Sequence, residues 1–222
     1  MTNLQQLQQQ CQPAQILAVS KLQSAEKIRE LYSKGQRHFG ENYVQEALDK
    51  IKELQDLKDI QWHFIGHLQT NKIKHILGSF SLIHSVDSLR LAEQLSRHCQ
   101  DKGVQQRILL QMNLAREESK GGLSRAELEN KWDLLKALPG LQICGLMTMP
   151  PLTESGEEVR PYFRELREQL QRLREKTDLT QHPLQELSMG TSHDFAVAIE
   201  ESATIVRLGT ILFGERPGKR LG

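Results

Sequence analysis

The chain is poor in several features that would assign its class at once. Only three cysteines, Cys11, Cys99 and Cys144, occur in 222 residues. Widely separated, odd in number and without a Cys-x-x-Cys pair, they support neither a disulfide framework nor a zinc site, and no metal is expected. No apolar run is long enough for a membrane helix and the N-terminus is polar, which points to a soluble, cytoplasmic protein. An excess of one charge is also missing: 29 Lys and Arg face 28 Asp and Glu. That balance argues against a nucleic-acid or anionic-membrane surface. No linker interrupts the chain, and apart from the Gln-rich start, Gln5 to Gln12, no segment is of low complexity. One domain over residues 1–222 is expected, and it is long enough to bury a sizeable core.

What the chain does contain is a repeated alternation of short apolar runs and amphipathic stretches. The first run, Ile16 to Ser20, is partly β-branched and stops at Lys21; its length and polar borders predict a buried strand. Ser24 is placed to cap the following helix, which is expected to end at Gly35. Further strands are expected at 38–40, 62–65, 82–86, 107–113, 141–149, 184–188 and 204–208, each followed by a helical pattern. The sequence Ser124-Arg125-Ala126-Glu127 fits a capping box. The dense Arg and Glu face of the helix carrying Tyr162, Phe163 and Leu166 reads as solvated surface. Eight strand-helix units fit either a doubly wound sheet or a closed (β/α)8 barrel, and their number and even spacing favour the TIM barrel.

In such a barrel the reacting groups sit at the carboxyl ends of the strands, with phosphate commonly held after strands seven and eight. Lys21 lies at the end of strand one and alternates onto the face of Leu17 and Val19. A half-buried amine there loses some of its preference for the ammonium form, which suits it to a Schiff base; a plain charge at a strand exit is the other reading. After strand seven, Gly190, Thr191 and Ser192 are expected to open a helix, and Gly209-Thr210 follows strand eight. Each loop alone is compatible with a simple N-cap or turn. Together they form an anion cradle suited to phosphate. Arg207 stands inside the apolar run Ile205 to Leu208 and needs either a ligand or an ion-pair partner. The histidines at 63, 67 and 84 read as neutral core or rim residues, and Met147 and Met149 as filler. An amine, a phosphate cradle and an arginine on neighbouring strands suggest pyridoxal 5'-phosphate. Lys21 then forms the covalent aldimine, Thr191, Ser192, Gly209 and Thr210 hold the phosphate, and Arg207 meets the pyridine nitrogen.

Several blocks carry a resemblance: Ala18-Val19-Ser20-Lys21, Phe39 to Glu46, His63 to Lys72, Gly145-Leu146-Met147, Leu187 to Gly190, and Val206 to Thr210 with Phe213-Gly214. In this order the chain resembles the YggS/PROSC (PLPBP) family of pyridoxal phosphate homeostasis proteins, its cyanobacterial members in particular. The resemblance implies a barrel like the N-terminal domain of alanine racemase, with Asn42 beside the cofactor and Ser188 joining the phosphate site. It further implies a carrier and buffer of pyridoxal phosphate with no established catalysis, expected to meet pyridoxal-phosphate-dependent apoenzymes transiently; the balanced charge and the absence of a large apolar surface stripe point to a monomer. An amino-acid racemase is the alternative. Two departures stand out: the family has a longer helix before the first strand, and often Met at position 191. Roles for Lys120, Lys219 and Arg220 stay open.

Overall fold

The structure is a computed structural model describing residues 4–115, 117 and 121–214; Lys120, Lys219 and Arg220 lie outside them. Eight parallel strands close into a barrel in sequence order: β1 (Gln15–Val19), β2 (His38–Glu41), β3 (Gln61–Phe64), β4 (Leu82–Val86), β5 (Gln106–Met112), β6 (Leu141–Thr148), β7 (Glu186–Ser188) and β8 (Ile205–Leu208). The helices are α1 (Leu4–Cys11), α2 (Ala25–Ser33), α3 (Val44–Glu53), α4 (Ile73–Ile76), α5 (Leu89–Lys102), α6 (Arg125–Lys136), α7 (Arg160–Arg174), α8 (Phe195–Glu200) and α9 (Thr210–Phe213). Closure pairs β1 with β8, setting Leu17 opposite Arg207 and Ala18 opposite Leu208. The TIM barrel expected from eight strand-helix units is therefore present. No helix among the described residues is long and apolar enough to cross a membrane.

Strand alternation divides the core in two. Side chains facing outward, such as Phe39, Phe64, Ile83 and Leu110, pack with the helices in one continuous apolar layer. Those facing inward, Leu17, Leu82, Leu109, Cys144, Met147 and Ile205, fill the lumen. A register shift in the β5–β6 pairing, from Ile108 opposite Ile143 to Leu109 opposite Gly145, lets both Cys144 and Met147 point inward although their spacing is odd. Glycine is needed at the shift, because a Cβ on Gly145 would lie 1.9 Å from the Glu186 carbonyl oxygen. Met147 is thus lumen filler, whereas Met149 is half exposed at the mouth.

Several local expectations shift. Ser24 takes the N-cap position of α2 without a side-chain capping bond, whereas Ser124 and Glu127 form the full capping box on α6. The seventh strand starts at Glu186, because Leu184 adopts a left-handed φ of 46° that interrupts extended backbone. The Gln-rich start is itself a helix, α1, burying Leu4, Leu7 and Cys11. The Arg-rich face of α7 is more than solvated surface: Arg160, Arg164 and Arg167 converge on the buried Glu201, which follows α8.

Candidate functional site

Lys21 follows β1 in a tight turn and is half-buried. The turn is held from outside the sheet. Leu22, in the left-handed region at φ 60°, donates its backbone N–H to Glu46 Oε1 at 2.6 Å. Lys50 Nζ reaches the Ser20 carbonyl at 2.7 Å, Glu41 at 2.8 Å and Glu46 at 2.6 Å. Ser20 in turn donates its hydroxyl to Glu41 Oε1 at 2.6 Å. Glu41 and Lys50 are both buried. Burial pushes the Glu41 carboxyl above its usual range, against the opposing pull of Lys50 and Ser20. A buried ion pair therefore clamps the residues on either side of Lys21, and the strained Leu22 is tolerated because that network over-determines it.

Around the lumen mouth the other expected residues converge. Asn42 follows β2, and its backbone packs so closely on Gly66 that a Cβ there would sit 2.0 Å from the Asn42 carbonyl oxygen. The Asn42 side-chain oxygen is buried without a hydrogen-bond partner. Arg207 is buried, at 5% exposure. Its guanidinium donates to the Ser188 carbonyl at 2.6 Å, the Ser188 hydroxyl at 2.8 Å and the Thr148 carbonyl at 2.8 Å. Neutral oxygens receive these bonds in place of the carboxylate an ion pair would supply. Burial pulls the Arg207 pKa down to about 10, which still leaves it charged at neutral pH.

The two loops expected to cradle phosphate lie side by side, with Thr210 Oγ1 3.4 Å from Ser192 Oγ. Gly190 has φ 90°, and a Cβ there would lie 2.6 Å from that of Ala198, so only glycine lets the loop lie against α8. One expectation is corrected. The helix does not open at Gly190 to Ser192; α8 begins at Phe195 with Asp194 at its N-cap. Instead the Asp194 carboxylate accepts the Thr191 backbone N–H at 2.5 Å and the Thr191 hydroxyl at 3.0 Å. An Asp three residues on from Thr191 competes for the same donors, and that local turn delays the helix. Gly209 occupies the N-cap of α9.

Sequence reasoning missed the polar chain across the lumen. His38, half-buried on β2, meets His63 of β3 at 3.1 Å; His63 meets His84 of β4 at 2.9 Å; His84 reaches Ser188 of β7 at 2.8 Å. Burial and its neighbour's charge pull His63 down to about 3 and His84 well below the usual histidine range. His67, by contrast, is exposed near Asp87. The available signal was a histidine on each of strands two, three and four. Among the described residues no group of three or more His, Cys, Asp or Glu is arranged to hold a metal ion.

A closed parallel barrel with a lysine after strand one, a buried arginine on strand eight and paired hydroxyl loops defines a class of protein, the racemase-type barrel. The family model described as alanine racemase, N-terminal domain, matches residues 1–217. An alanine racemase structure from Bartonella henselae covers 99% of this chain and 60% of its own at TM-score 0.74 and 20% identity, a likeness of fold alone. Within that class the chain belongs to the pyridoxal phosphate homeostasis proteins. It is 47% identical over 203 residues to the pyridoxal phosphate homeostasis protein of Aquifex aeolicus, spanning 91% of this chain and 87% of that one. The structure of PipY from Synechococcus elongatus with pyridoxal phosphate bound matches at TM-score 0.88 and 42% identity, covering 96% of this chain and 98% of that one. The residues here fit such a group: an orphaned buried oxygen on Asn42, a glycine-lined cradle with two converging hydroxyls, and a buried cation opposite Lys21's strand.

Proposed function

We propose that this protein binds pyridoxal 5'-phosphate and serves its homeostasis in the cytoplasm, carrying and buffering a reactive aldehyde without turning over a substrate. Lys21 is the amine that takes the aldehyde covalently. Gly190, Ser192, Gly209 and Thr210 hold the phosphate; Ser188, its hydroxyl taken up by Arg207 and His84, and Thr191, its donors taken up by Asp194, shape the site from behind; Asn42 flanks the ring, and Arg207 faces the ring nitrogen. Bound, the cofactor supplies an electrophilic carbonyl and an aromatic electron sink. The observation that carries the reading is Arg207, a buried cation fixed by neutral oxygens on the strand that closes against β1. A guanidinium keeps its proton and offers no negative charge, so it does not stabilise a protonated ring nitrogen as a carboxylate does. The electron sink is weakened and amino-acid turnover is unsupported. The protein is expected to act as a monomer and to meet apoenzymes transiently, at the barrel mouth where Lys21 is half-buried.

Borohydride reduction followed by peptide mass mapping tests the assignment. A pyridoxyl adduct is expected on Lys21 and lost in Lys21→Ala; a Lys21→Ala protein that keeps its visible colour and its cofactor sinks it. Incubation with D- or L-alanine is expected to leave chirality unchanged, and steady racemisation would restore the enzyme reading.

A further inference from the structure

The three lumen histidines form a chain whose proton positions follow from counting donors. A guanidinium only donates, so Ser188 Oγ accepts from Arg207 at 2.8 Å. Ser188 is fully buried, and among the described residues the acceptor its hydroxyl proton meets is His84 Nδ1, 2.8 Å away; donating there leaves no buried O–H unpaired. His84 must carry its own proton on Nε2, which lies 2.9 Å from His63 Nδ1. His63 is thereby also protonated on Nε2, and donates over 3.1 Å to His38 Nδ1. Every bond points away from Arg207 and toward the barrel floor, where half-buried His38 also lines a surface cavity with Gln15 and Arg37. Charging any ring adds a donor at the nitrogen that now accepts. At His38 it sets two donors face to face and breaks the first link.

The charges facing the chain are cationic. Arg207 from β8 acts on His84 and Arg107 from β5 on His63; Arg107 also donates to the Cys144 thiol of β6 at 3.3 Å. Beside His38, Arg37 is taken up by Asp59. Burial lowers the His38 pKa, yet of the three it is the one within reach of solvent.

We propose that His38, His63 and His84 are positioning residues for the cofactor: the chain orients the Ser188 hydroxyl and so locks Arg207, and protonation of His38 at the barrel floor releases that lock. This rests on the reading of Arg207 as the group that faces the ring nitrogen. It makes cofactor retention sensitive to acid at the end of the barrel opposite the mouth.

Nitrogen-15 histidine spectra of the cofactor-free protein are expected to show all three rings neutral and protonated on Nε2 at about pH 7.5. A charged ring, or an Nδ1–H tautomer at His84, overturns the proposal and says nothing about Lys21. In the loaded protein, His84→Leu is expected to weaken pyridoxal phosphate retention by about tenfold. His84→Asn, whose Oδ1 takes the Ser188 proton, restores most of it. His38→Asn keeps an acceptor for His63 but does not titrate, so it should match the parent at about pH 7.5 and lack the parent's weakening as pH falls below the ordinary histidine range. Equal retention in His84→Leu and parent, or identical acid profiles for His38→Asn and parent, overturns the proposal. Failure of the cofactor reading shows separately, as a Lys21→Ala protein that stays yellow.

Discussion

Two polar networks support the ends of β1 and β8, and they are built differently. Behind Lys21, outside the sheet, Glu41, Lys50 and Glu46 are charged groups packed under the helices. Behind Arg207, inside the lumen, the hydrogen-bond partners are neutral imidazoles, a hydroxyl and backbone carbonyls. The difference follows from what each must hold. A strained turn bearing an amine is held by an ion pair that grips the backbone on both sides. On the proposed reading Arg207 also faces the cofactor, and a carboxylate partner would take up its charge; the structure holds it by dipoles instead. The two networks therefore respond oppositely to pH. Glu41, raised in the fold, contributes stability that is present below its ordinary pKa and lost as pH rises through its raised value. The histidines are lowered in the fold, so their contribution is present above about pH 6.5 and lost as pH falls below it.

The largest effect is expected from breaking the charged network on one side only. Lys50→Met strands the buried Glu41 carboxylate and should cost about 3–5 kcal/mol in urea unfolding. Pairing it with Glu41→Leu should recover most of that, while leaving the Lys21 turn less well held and the pyridoxyl adduct slower to form; a double variant as unstable as the single one removes the ion-pair explanation. Acid comes next. His63 and His84 should each lower stability by about 1.4 kcal/mol per pH unit below about pH 6.5, and a His63→Phe, His84→Leu double variant should flatten that slope. A slope that survives both changes assigns acid sensitivity elsewhere. The smallest effect tests the link between the ion pair and the turn. Ser20→Ala removes one hydrogen bond to Glu41 and should cost about 1–2 kcal/mol, with Lys21 still reactive.

Much of the barrel was legible because its strands are short apolar runs punctuated by turn residues, and because the family blocks fall at strand ends. The places of Lys21, Arg207 and the two hydroxyl loops at the carboxyl ends of β1, β7 and β8 were read this way, since position along a strand sets which end of a parallel barrel a residue occupies. What was not legible depends on partners distant in sequence. Alternation puts His38, His63 and His84 on a face, but not that His84 crosses the lumen to a serine 104 residues away. Glu41 could be counted in a motif without showing that it points outward to Lys50. The start of α8 was misplaced because Asp194 captures the Thr191 donors that the helix was expected to present. Gly145 looked like part of a motif and turned out to sit at the register shift that lets Cys144 and Met147, three residues apart, both face the lumen.

The pairing of the first strand with the last gives the pocket a place in time as well as in space. A ribosome delivers Arg207 186 residues after Lys21, with Gly209 and Thr210 just behind it, and the seam between their strands closes last. On the proposed assignment, a chain whose β8 has not docked on β1 carries the amine without the residues assigned to the phosphate and the ring. Capture of the cofactor would then be tied to completion of the barrel.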